Sequence, residues 1–159
     1  MNPIHPGLAD LARAAQDMPA EDVAPVLARA LKKKDWLRPE HRVGDPTRYM
    51  RHVLYVDPRD RFVMTAITWL PGQVSPVHGH QVWCAFGVAE GELTEERFTG
   101  KLEPLETRIY RPGEVAERDF DCKAIHRVSN RSRGTIVSLH LYGVSADKLT
   151  TGINRLWSS

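Results

Sequence analysis

PGQVSPVHGHQVWC, Pro71 to Cys84, lies near the middle of the chain and governs how the rest is read. It opens on the turn dipeptide Pro71-Gly72, carries His78 and His80 one residue apart, and ends on Cys84. Residues two apart in a strand project to the same face, so the two imidazoles would point the same way. Neutral imidazoles are ligands for iron, zinc, copper or nickel, and a barrel interior would shield them from bulk water. The pair alone also fits a turn or a hydrogen-bonded core pair, so its surroundings decide.

On both sides of this stretch the chain is rich in Val, Ile, Thr and aromatic residues, in short segments. RYMRHVLYVD, RFVMTAITWL, VWCAFGVAEG, ELTEERFTG, LETRIYRPG and TIVSLHLYG are separated by the turn signals DPRD, PGQ, EGE, TGK, RPGE and SRG. Strands at this spacing predict a closed antiparallel barrel or a sandwich, not alternating βαβ units. The first quarter differs. Leu8, Leu11, Ala12 and Ala15 repeat at helical spacing up to Pro19, and Val23, Val26, Leu27 and Leu31 form a second stripe that runs into a basic cluster. The expected organisation is one domain over 1–159, with a helical lead-in to about residue 45, a barrel over about 46–143 and a tail over 144–159.

Composition narrows the function classes. The chain has 159 residues, 42% of them hydrophobic and 26% charged, with a net charge of +2. That balance predicts neither a nucleic-acid nor a membrane partner. The opening MNPIHPGLADLARAAQDM has no apolar run of signal-peptide character. Cys84 and Cys122 are too few for a disulfide scaffold, so a reducing, cytoplasmic location is the expectation.

A second block repeats the logic of the first: Pro112-Gly113, then His126, then Asn130 in HRVSN. The two-block arrangement, PGQVSPVHGH with Gly91 beyond it and then PG with HRVSN, resembles the two motifs of the cupin family. The resemblance implies a mainly β cupin jelly-roll barrel, here with N-terminal helices, and a metal held by His78, His80 and His126. Many cupins add a glutamate from the first block, where this chain has Cys84 or Ala85. Glu90 and Glu92 flank the turn at Gly91 and are expected to face solvent. Three neutral ligands would leave the charge of a divalent ion to an anionic substrate, with coordination positions still open.

A third block, SLHLYG, puts Ser138, His140 and Tyr142 on alternating positions of one strand. This is either a polar stripe on an exposed face or, because Val137, Leu139 and Leu141 are apolar, a buried row. Buried, the three would have to hydrogen-bond to one another. Taken with YMR at Tyr49–Arg51, these motifs resemble the cysteine dioxygenase family of thiol dioxygenases, from about Tyr49 to Tyr142.

That resemblance implies ferrous iron on the three histidines, a relay of Ser138 and His140 ending in Tyr142 beside the metal, and no organic cofactor. The implied reaction adds both atoms of O₂ to the sulfur of a small thiol, giving a sulfinic acid. Arg51 stands where the family places the residue that contacts the substrate carboxylate. Its planar fork suits that partner, with Tyr49 beside it and Arg155 in the tail as a further candidate. Members with Arg at this place tend to take cysteine, and those with Gln tend to take 3-mercaptopropionate. Cysteine is therefore the expected substrate, 3-mercaptopropionate or another small thiol the alternative, and a metal-binding sensor without catalysis the more distant one. Cys84 falls at the register where animal members carry a cysteine bonded to the active-site tyrosine. It is read either as a partner for a thioether to Tyr142 or as a small buried thiol filling the barrel. Gly143-Val144 replace the Ser-Pro step of animal members, so the edge of the pocket is expected to differ.

Overall fold

Among the described residues, nine strands form two antiparallel sheets in the computed structural model, which covers residues 3–16, 23–116, 124–149 and 154–156. One sheet has the order β1 (Met50–Val56), β2 (Val63–Trp69), β8 (Ile136–Tyr142), β4 (Cys84–Glu90). The other runs β6 (Pro104–Tyr110), β5 (Leu93–Phe98), β7 (Ile125–Ser129), β3 (His78–His80), β9 (Asn154–Leu156). This is the mainly β, helix-fronted architecture expected from the turn spacing. The turn glycines are placed for a physical reason. Gly91 has φ +84°, and a Cβ there would come within 2.8 Å of Ile136, so the β4–β5 turn takes no other residue without strain.

Two helices, α1 (Ala9–Gln16) and α2 (Val23–Lys33), cover the outer face of the four-stranded sheet. Leu8, Leu11, Ala12, Ala15, Val23, Leu27 and Leu31 are buried, and they pack with Met64, Ala66, Val137, Leu139 and Leu141. Full burial of each Leu contributes about 1.5–3 kcal/mol. Val26 packs at the edge of this layer, partly buried. Pro19 and Cys122 lie outside the described residues.

The helical layer explains β8. Every residue of that strand is buried, because its odd-numbered side chains meet the helices and its even-numbered ones face the other sheet. The exposed polar stripe that SLHLYG could have been is therefore ruled out. Within the tail over 144–159, Asn154–Leu156 pairs with β3 and so supplies a strand of the five-stranded sheet. Three residues are too few to show a period in sequence.

Candidate metal centre

The first two sequence blocks meet because they are zipped together as neighbours. Gly72 donates its N–H to the carbonyl of Asn130, Asn130 donates to that of Gln73, and Ser75 donates to that of Val128. The pairing continues into β3 and β7, where His78 stands directly opposite His126. The Asn130 side chain secures the corner. Its Nδ2 donates to the carbonyls of Trp69 and Gly134, at 2.9 and 2.8 Å, and its Oδ1 accepts from Ser132.

His78, His80 and His126 are all buried, and each offers a ring nitrogen within 4.8 Å of the others. The His78 Nδ1 lies 2.8 Å from the Pro76 carbonyl and the His126 Nδ1 lies 2.6 Å from Glu95 Oε2. Both acceptors require a proton on Nδ1, which leaves the Nε2 lone pairs pointing into the site. Those two Nε2 atoms are 3.0 Å apart. This spacing is what two nitrogens adjacent on one first-row cation adopt with bonds of about 2.1 Å. Burial, with the other histidines nearby, pushes His78 down to about 4 and His80 down to about 2, so neither is protonated at neutral pH. With the His80 Nδ1 buried without a partner among the described residues, the cluster fits a divalent metal.

Ser138, His140 and Tyr142 form the connected row expected of them if buried. Ser138 Oγ is 2.7 Å from His140 Nε2, and His140 Nδ1 is 3.3 Å from the Tyr142 hydroxyl. Trp69, which the sequence did not single out, sets the direction. Its indole Nε1 can only donate, and it does so to Ser138 Oγ at 2.9 Å. The best acceptor left for the serine proton is then His140 Nε2, since the alternative, the Ile67 carbonyl, is 3.5 Å away. A neutral His140 protonated on Nδ1 donates to Tyr142, and the phenol proton is turned toward the pocket. Burial lowers the His140 pKa well below its ordinary value and raises that of Tyr142, so both stay neutral. Phe86 stacks on His140 with ring centroids 5.1 Å apart and fixes its plane.

Arg51 and Tyr49 line the same cavity as the histidines and Tyr142. The guanidinium lies 5.7 Å from the centre of the Tyr142 ring, and Arg51 Nε is buried with no hydrogen-bond partner among the described residues. Tyr49 stacks on Trp69 at 4.5 Å. Cys84, buried, stands directly opposite Tyr142 across β4 and β8. The Arg155 backbone pairs with Gly79, while its side chain lies outside the described part of the structure. Gly143 touches Trp83: a Cβ there would sit 2.2 Å from the indole nitrogen, so the indole packs against the glycine.

Glu90 and Glu92 are turned away from the site, toward Arg42 and Arg111 respectively. Besides Trp69, the residue missed in sequence is Glu95, fully buried behind His126. Its signal was present: Leu93 and Glu95 alternate onto one inward face, where a charge needs a partner. The site has two walls. The three histidines and Glu95 belong to the five-stranded sheet. Arg51, Trp69, Cys84 and the Ser138–His140–Tyr142 row belong to the four-stranded one.

Two antiparallel sheets closed around an inward histidine cluster define a cupin-fold protein. The fold is similar to that of TT1209 from Thermus thermophilus, with a TM-score of 0.54, 21% identity, and coverage of 64% of this chain and 89% of that one. It is also similar to a recombinant oxalate oxidase in complex with glycolate, with a TM-score of 0.51, 16% identity, and coverage of 63% and 53%. These likenesses concern the fold. The chain belongs to the cysteine dioxygenase type I family, matched over residues 6–150. That match takes in the helical lead-in, which the motifs alone left out. Among the described residues, no helix is long and apolar enough to cross a membrane.

Proposed function

We propose that the protein is a thiol dioxygenase that converts L-cysteine to cysteine sulfinic acid, with ferrous iron on His78, His80 and His126. The observation that carries this reading is the shared cavity: a cation-ready imidazole cluster, an unsatisfied guanidinium donor and a phenol whose proton faces inward all open onto it. Bound iron would supply the one-electron chemistry that lets a thiolate react with O₂, and the thiol itself provides the electrons.

The chain's own residues do the rest. Arg51 would receive the substrate carboxylate, aided by the Tyr49 hydroxyl, and so fix the distance from carboxylate to sulfur. Tyr142 would hold a proton at its hydroxyl, aimed at the reacting atoms, with Trp69, Ser138 and His140 keeping it so aimed. Phe86, Trp69 and Tyr49 line the cavity with aromatic surface. Cys84 stands where a thioether to Tyr142 would form by loss of a hydrogen from each partner, with O₂ as oxidant, and would clamp the phenol.

The test is anaerobic loading with iron(II), then O₂, with cysteine, 3-mercaptopropionate and cysteamine compared. Cysteine should give one sulfinate per O₂ consumed. No uptake with any of the three ends the reading, and preference for 3-mercaptopropionate moves the substrate while keeping the chemistry.

A further inference from the structure

His126 differs from the other two histidines in what stands behind it. The His78 Nδ1 meets a neutral carbonyl, and the His80 Nδ1 is buried without a hydrogen-bond partner among the described residues. The His126 Nδ1 meets a carboxylate oxygen at 2.6 Å. Glu95 has no solvent exposure, and the other contacts at its carboxylate are donors too: the Tyr110 hydroxyl at 3.0 Å and Arg97 Nε at 3.1 Å, both on Oε1. Two donors thus reach Oε1, and Oε2 lies against the histidine. The group is held as an acceptor, and Arg97 offsets its charge in the interior.

We propose that Glu95 is a positioning residue of the metal centre. Acting through His126, it supplies from behind the ligand the negative charge that a directly bound carboxylate would otherwise bring. The arrangement has a chemical use. A carboxylate behind an imidazole fixes its tautomer and makes its free nitrogen a stronger donor. With a metal bound, the charge would act on it without occupying a coordination position, and His126 would be the strongest donor of the three. This inference rests on the three histidines being a metal site, and the test separates the two ideas.

Iron(II) affinity is measured anaerobically by competition with a chromophoric chelator, and the cobalt(II) absorption spectrum serves as a second readout. Both are applied to wild type and to Glu95→Gln, which keeps shape and removes charge. Glu95→Gln should bind iron(II) about 10- to 100-fold more weakly and shift the cobalt bands, with circular dichroism unchanged. Wild-type affinity and spectrum in a folded Glu95→Gln overturn the proposal. Failure of the wild type to bind either ion overturns the metal site itself. If Glu95→Gln does not fold, Tyr110→Phe decides. It frees Glu95 from a competing donor, so affinity should hold or rise, and weaker binding in that variant also overturns the proposal.

Discussion

Replacing Arg51 with methionine keeps most of the side-chain volume and removes the charge and the donors. The guanidinium has an Nε buried without a hydrogen-bond partner among the described residues, lies 5.7 Å from the centre of the Tyr142 ring, and hydrogen-bonds the Tyr142 side chain. A charge-assisted hydrogen bond to a substrate carboxylate is worth about 1.5–3 kcal/mol. At about 1.4 kcal/mol per decade, kcat/KM for cysteine should fall by roughly 10- to 150-fold for each bond lost. Losing the cation over the tyrosine ring costs about 0.5–1 kcal/mol and falls on every substrate alike, a factor of roughly 2 to 5. Oxygen uptake with cysteine, 3-mercaptopropionate and cysteamine reads the two effects apart, because cysteamine has no carboxylate. The two acids should lose far more than cysteamine. Equal losses across all three thiols would refute the carboxylate role. Thermal melting supplies the control: the variant orphans no partner of Arg51 Nε, so its Tm should stay within a few degrees of wild type.

Intact mass should fall by a hydrogen from each of Cys84 and Tyr142 after prolonged turnover, and Cys84→Ala should show no such loss. An unchanged wild-type mass would leave Cys84 as a packing residue. The metal-free protein should lose stability on acidification. His78 titrates near pH 4 when folded, against about 6.5 unfolded, so the unfolded chain binds more protons in that window. Its contribution is full above pH 6.5 and is lost as pH falls toward 4; between pH 7 and 5 the loss is about 2 kcal/mol from this residue. Equal urea midpoints at those two pH values would contradict the burial-lowered pKa. Asn130→Ala strands the buried Trp69 carbonyl and removes the acceptor of the Ser132 N–H, and should cost about 2–3 kcal/mol, lowering Tm by roughly 5–10 °C. A shift under a degree would show that the clip is dispensable.

The parts of the site readable in sequence were those written as local periods. HGH read as a same-face pair because strand alternation is strictly two, and SLHLY put Ser138, His140 and Tyr142 on one face by the same rule, while the choice between an exposed stripe and a buried row waited on the helices that cover the other face. What stayed hidden depends on contacts between strands far apart in the chain. Nothing near Ser138 announces Trp69, and nothing near His126 announces Glu95; each pair meets only when β2 lies against β8 and β5 against β7. The strand at Asn154–Leu156 was hidden for another reason. It is short, and its pairing with β3 gives no pattern of its own. Missing the glutamate mattered most, since the apparent absence of a carboxylate held only for residues directly in line with the first block.

The division of the cavity between its two walls bears on how a substrate could enter. Since β3 and β7 are neighbours in one sheet, the separations among the imidazoles are fixed by backbone pairing within that sheet. They do not depend on the gap to the opposite wall. A change in that gap would therefore leave the spacing of the imidazoles as it is, while Arg51 and Tyr142, carried on one sheet, would shift together. Substitutions between the walls would then retune the choice of guest without loosening the seat.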